Sequence, residues 1–195
     1  MSVLIIVVHP DPDSFTHRIA DRIVTTLQEQ DRAVVWVDLY AAGFSAAMSP
    51  AEIAAYQSEN PVLDPLVMDQ ISHISSCETL VFVYPTWWSG LPAVLKGWLD
   101  RVMVPGVAFR FNEQGKVRPA LTHVKRIVGV STYETRWLST KTVNDNGRRK
   151  LLRAMRLSTG LTTRAGWLSL HDVNVKTPEQ CARFLERVER LAARL

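Results

Sequence analysis

Residues 79–109 read TLVFVYPTWWSGLPAVLKGWLDRVMVPGVAF, and this stretch decides the fold. Thr79–Tyr84 is apolar without a break, the mark of a strand buried on both faces in a parallel sheet. Pro85–Gly90 is a tight loop. Beyond it Leu91, Val94, Leu95, Trp98, Leu99 and Val102 recur at helical spacing, so Leu91–Val102 reads as an amphipathic helix. Strand, tight loop and helix in that order form half of a βαβ unit.

The same alternation runs outward in both directions. Upstream, Val3–Val8 is a second continuous apolar strand, stopped by His9-Pro10-Asp11-Pro12-Asp13. A helix from Phe15 to Glu29 follows, with Ile19, Ile23 and Leu27 on its apolar face. Ala33–Leu39 is a strand, and Ser49-Pro50-Ala51-Glu52 is a capping box that opens helical segments near 50–57 and 65–76. Downstream, Val124–Ser131 and Thr163–Leu170 are strands, separated by a basic helix at Asp145–Leu157. Thr177-Pro178-Glu179-Gln180 is a second capping box. It opens a helix whose face is Cys181, Phe184, Leu185, Val188 and Leu191. Strands and helices that alternate in this way predict a three-layer α/β domain spanning 1–195, with a parallel sheet of order 2-1-3-4-5. Residues 103–123 form the one long insertion.

Composition narrows the function classes. The chain has 195 residues, 47% hydrophobic and 22% charged, which excludes a disordered protein. A net charge of +4 fits an anionic ligand as well as it fits nucleic acid, and no basic tail is visible; no nucleic-acid partner is expected. Cys77 and Cys181 lack CxxC spacing, so neither a disulfide scaffold nor a zinc ribbon is expected, and the cytoplasm is the expected compartment. The first apolar run is too short for a signal peptide, and no segment approaches the ~20 apolar residues of a membrane span.

In an open sheet of this order, ligands bind between strands one and three, beyond their carboxyl ends. The loops His9–His17, Pro85–Gly90 and Ser131–Trp137 converge there. The first offers Ser14, Thr16 and a helix amino terminus, which suit phosphate. Taken alone, it reads more simply as a cap by Asp13 or Ser14. Neither GxxxxGK[ST] nor a GxGxxG fingerprint occurs. The second loop places Trp87 beside Trp88, which serve a planar aromatic ligand or else plug a surface or subunit contact. The hydroxyls of Ser131 and Thr132 serve a heterocycle or cap a turn.

Tyr84-Pro85-x-x-Trp88-x-x-x-Pro92-Ala93-x-Leu95-Lys96-Gly97-Trp98-x-Asp100-Arg101-Val102, followed by Gly106-Val107-Ala108-Phe109, resembles the flavodoxin-like NAD(P)H:quinone oxidoreductases. These include quinone reductases, modulator-of-drug-activity proteins, potassium-efflux ancillary proteins and azoreductase relatives. His9-Pro10 with Ser14-Phe15-Thr16 matches the first loop of that family. The resemblance implies a non-covalent flavin, FMN or FAD. His9, Ser14, Phe15 and Thr16 would hold its phosphate and ribityl chain. Pro85, Thr86, Trp87 and Trp88 would line the ring, and Ser131 and Thr132 would form the third flavin loop. Relatives carry two glycines next, where this chain has Tyr133 and Glu134. Tyr133 is the candidate polar contact at the flavin edge and the candidate catalytic residue.

The resemblance further implies a two-step reaction. NADH or NADPH gives a hydride to flavin N5, and a quinone or related acceptor then takes the electrons at the same place. It also implies a homodimer. No metal cluster is expected. An electron carrier, or a regulatory subunit of a transporter, remains the alternative. Arg136, Lys141, Arg148, Arg149, Lys150, Arg153 and Arg156 read first as a solvated helix face and second as an attractor for NADPH phosphate or an anionic acceptor.

Overall fold

A computed structural model describes residues 2–58, 60–142 and 146–195. Its strands are β1 (Ser2–Val7), β2 (Ala33–Asp38), β3 (Thr79–Pro85), β4 (Phe109–Phe111), β5 (Val117–Pro119), β6 (Arg126–Thr132) and β7 (Arg164–Leu170). Five of them form a parallel sheet in the order β2-β1-β3-β6-β7, which is the predicted 2-1-3-4-5. The helices are α1 (Phe15–Gln28), α2 (Pro50–Ala55), α3 (Pro65–Ser76), α4 (Ala93–Val102), α5 (Trp137–Thr142), α6 (Asn146–Arg149), α7 (Met155–Thr159) and α8 (Pro178–Ala192).

Strand alternation divides the core into two layers. Val3, Ile5, Val7, Val81, Val83, Val128 and Val130 face α1 and α8, where Ile19, Ile23, Leu27, Phe184 and Val188 meet them. Leu4, Ile6, Leu80, Phe82 and Ile127 face the other way, against Ile74, Leu95, Trp98 and Val102 of α3 and α4. Continuous apolar runs were therefore a sound sign of strands covered on both faces. β2 is an edge strand and stays partly exposed.

Both predicted capping boxes form, at Ser49/Glu52 and Thr177/Gln180. Two regions differ from expectation. The 103–123 insertion contains the antiparallel pair β4 and β5, whose three-residue strands are too short to carry a period. The predicted helix at 145–157 is α6, a π turn at Lys150–Ala154 and then α7, and Asp145 lies outside the described residues.

The Lys96-Gly97-Trp98-x-Asp100-Arg101 segment turns out to be scaffold. A Cβ on Gly97 would lie 2.3 Å from the Cα and carbonyl oxygen of Ala46, so only glycine lets the 43–49 loop cross α4 this closely. Trp98 is fully buried beside Phe82 and donates its indole N–H to Gln70 Oε1 at 3.3 Å. Buried Arg101 donates to Glu52 Oε1 at 2.8 Å, Ser45 O at 2.7 Å and Asp64 Oδ2 at 2.6 Å. Burial works to raise the Glu52 carboxyl, but the Ser49 N–H and Arg101 outweigh it and hold it below the usual range. Arg101, with the Leu66 N–H, also holds Asp64 low. Both cysteines are free, and burial pushes the Cys77 thiol up to about 12. Among the described residues no helix is long and apolar enough to cross a membrane.

Candidate functional site

The switch point lies where β1 and β3, neighbours in the sheet, send their chains to opposite sides. After β1, Val8 still donates to Val83 O, and the chain then leaves as the loop ending in Ser14. The His9 imidazole is held from below, with Nδ1 3.1 Å from both the N–H and the carbonyl of Asp11. Its ring centre stands 6.2 Å from that of Trp87, tilted by 58°. The first and second predicted loops therefore meet.

Ser14 is the N-cap of α1, the simpler of the two readings its sequence allowed. Its Oγ accepts the N–H of His17 and lies 3.0 Å from His17 Nδ1, while His17 Nε2 lies 2.8 Å from Asp38 Oδ2. An ionised carboxylate only accepts, so Nε2 carries the proton and Nδ1 of a neutral His17 accepts from the Ser14 hydroxyl. This Asp38–His17–Ser14 chain fixes the first turn of α1 against β2. Sequence spacing does not announce it, because Asp38 is supplied by a neighbouring strand. The cap leaves the N–H groups of Phe15 and Thr16 at the open positive end of a 14-residue helix with no acid in its first turn. The Phe15 ring packs on Phe184 instead, and the Thr16 side chain is buried.

The ends of β3 and β6 are tied into a shelf. Thr86 donates its N–H to Thr132 O at 2.8 Å, and its hydroxyl lies 2.8 Å from that of Ser131. Beyond the shelf, Trp87 and Gly90 bond each other's backbone around Trp88 and Ser89. Those two central residues have φ of +48° and +55°, the type I′ arrangement that normally calls for Asn or Gly. A left-handed tryptophan is costly, and such strain gathers at ligand sites. Trp88 is 100% exposed, so its ring serves no core.

The third loop departs from the shelf. Tyr133 donates its N–H to Leu170 O, so this backbone donor belongs to β7. Its side chain is only 2% exposed and stacks on His171 with ring centres 4.4 Å apart and planes 15° apart. The phenol lines a cavity of about 460 Å³ beyond the ends of β6 and β7. No group of three or more His, Cys, Asp or Glu among the described residues is placed to hold a metal ion.

A parallel sheet of this order defines the open α/β class, whose ligand sites lie at the switch point. Residues 1–189 match a family described as having a flavodoxin-like fold, and the chain belongs to that family. It is similar to an uncharacterized NAD(P)H oxidoreductase, YcaK, of Escherichia coli (strain K12), with 37% identity over 101 residues, 52% of each chain. The chain spans about half the length of the curated relatives it matches. Its fold resembles an NAD(P)H:quinone oxidoreductase from Methanothermobacter marburgensis, with TM-score 0.84, 23% identity and 99% and 96% of the two chains covered. It also resembles an FMN-dependent NADH-azoreductase from Bacillus anthracis str. Ames Ancestor in complex with FMN, with TM-score 0.76, 20% identity and 99% and 98% covered.

Proposed function

We infer that the protein is a flavin-dependent NAD(P)H oxidoreductase that passes electrons to a quinone or a similar acceptor. The observation that carries this reading is the cradle itself. An open helix amino terminus, a hydroxyl-lined shelf and exposed tryptophans stand together at the switch point. The residues fit a phosphorylated flavin, FMN or FAD. Phosphate needs donors, and α1 presents the N–H groups of Phe15 and Thr16, with His9 beside them. A flat ring needs a flat support, and Pro85, Thr86 and Trp87 lead from β3 onto the shelf, which Ser131 and Thr132 complete. When bound, the flavin supplies reversible hydride exchange between a nicotinamide and an acceptor.

The chain's own residues bind, orient and exclude water. Asp38 and His17 hold Ser14 and the first turn of α1 in place. The Thr86–Ser131 pair holds the two strand ends at fixed spacing. Trp88 offers a free apolar face to an incoming ring. Tyr133 gives the polar contact at the far edge through its phenol, since its N–H is committed to β7. NADH or NADPH and the acceptor occupy one place in turn. The working form is a cytoplasmic homodimer, and the exposed Ile53, Leu63 and Met68 near α2 and α3 offer the apolar surface for pairing.

The phosphate half of this reading has its own test. Titration by fluorescence quenching is expected to show FMN binding at least ~10-fold tighter than riboflavin, as expected of charge-assisted bonds to the helix end. Equal affinities would remove α1 from the site.

A further inference from the structure

We propose that the cavity beyond β6 and β7 binds the 2′-phosphoadenosine end of NADPH. The proposal rests on the reading of the chain as a nicotinamide-dependent reductase and deepens it. The cavity measures about 460 Å³ and is lined by Arg148, Arg149 and Arg153, with no carboxylate among its described lining residues. Thr140, Ser169 and His171 add hydrogen-bonding groups. These are already ordered: His171 Nε2 lies 3.2 Å from Ser169 Oγ, and Nδ1 lies 3.4 Å from Thr140 Oγ1.

The backbone departs from a regular α-helix at this cluster. Residues 148 and 153 diverge around a regular α-helix. The π turn at Lys150–Ala154 starts between them and contains Arg153, and its i→i+5 pattern brings residues five apart nearer to one side. Such turns are rare and gather at functional sites. A merely solvated basic face requires neither a π turn nor a concavity.

Two properties select the ligand. Planar guanidinium forks suit a phosphate monoester, whose charge and three free oxygens exceed those of a carboxylate. The space is far larger than inorganic phosphate requires, and Trp137, Trp167 and Tyr133 give it flat apolar walls that suit adenine. Arg148 is already poised over the Trp167 ring, 6.0 Å from its centre. Tyr133 directly follows Thr132 of the shelf, so a nucleotide held here directs its other end toward the cradle.

Calorimetric titration of the full chain with adenosine 2′,5′-bisphosphate, adenosine 5′-monophosphate and inorganic phosphate tests the site without turnover. The bisphosphate is expected to bind at least ~10-fold tighter than either other probe, and Arg153→Gln to weaken it by ~10-fold. Arg149→Gln is expected to act in the same direction, and Arg190→Gln on α8 to leave binding unchanged. Equal binding of bisphosphate and monophosphate overturns the proposal. So does inorganic phosphate that binds as tightly as the bisphosphate, or an unchanged Arg153→Gln. In turnover, Arg153→Gln should lower kcat/KM for NADPH by ~10-fold and spare NADH. Failure of all turnover would sink the reductase reading, while the binding comparison would still decide the site.

Discussion

Replacement of Arg101 by Met is expected to cost about 3–5 kcal/mol of stability at neutral pH, the scale for removing one partner of a buried ion pair. The guanidinium is buried and serves Glu52, Asp64 and the Ser45 carbonyl together. Without it Glu52 stays buried with only its Ser49 cap. The sign with pH follows from the carboxyls. In the native chain both are held below their ordinary values of 4.5 and 3.8, so their stabilisation is full only above those values and is lost as pH falls through the folded ones. In Arg101→Met, burial raises Glu52 instead, so its penalty is largest at neutral pH and shrinks as acid protonates it. Urea unfolding at pH 7 and pH 4 should therefore show a deficit that narrows in acid. A deficit equal at both pH values would mean that Arg101 acts through packing alone.

Gly97→Ala pits helix propensity against packing. Gly97 lies inside α4, where alanine is worth about 1 kcal/mol over glycine. The new Cβ, however, would sit 2.3 Å from the Ala46 backbone, and a backbone cannot swing aside as a side chain can. Overpacking of this kind costs about 1–3 kcal/mol or more, so the clash wins and the variant is expected to be less stable. The damage should reach the cradle, since the Trp87–Gly90 turn leads directly into α4. A urea midpoint equal to or above that of the native chain would show that the 43–49 loop yields freely.

Both residues belong to the 79–109 stretch, whose pattern shows its elements but not the contacts they make. The strands were legible because Val3–Val8 and Thr79–Tyr84 are covered on both faces, and such runs admit few other arrangements. The convergence of the first two loops followed from topology, and His9 does stand beside Trp87. The role of Arg101 was hidden, because its partners come from three other segments with no periodic relation to α4. The stack of Tyr133 on His171 was hidden for the same reason, joining residues just past the ends of two different strands. The type I′ turn at Trp88 and Ser89 was hidden because neither residue advertises positive φ. The π turn was hidden because a basic helical pattern reads the same with or without one extra residue in a turn.

The proposed reaction is electron transfer from a nicotinamide through a flavin held at the switch point. Its most direct test is the visible spectrum of the protein loaded with FMN or FAD, recorded anaerobically before and after NADPH or NADH and again after a quinone. The flavin band is expected to bleach within seconds and to return when the quinone is added. A bound flavin that neither nucleotide bleaches would contradict it and would favour an electron carrier or regulatory subunit built on the same fold.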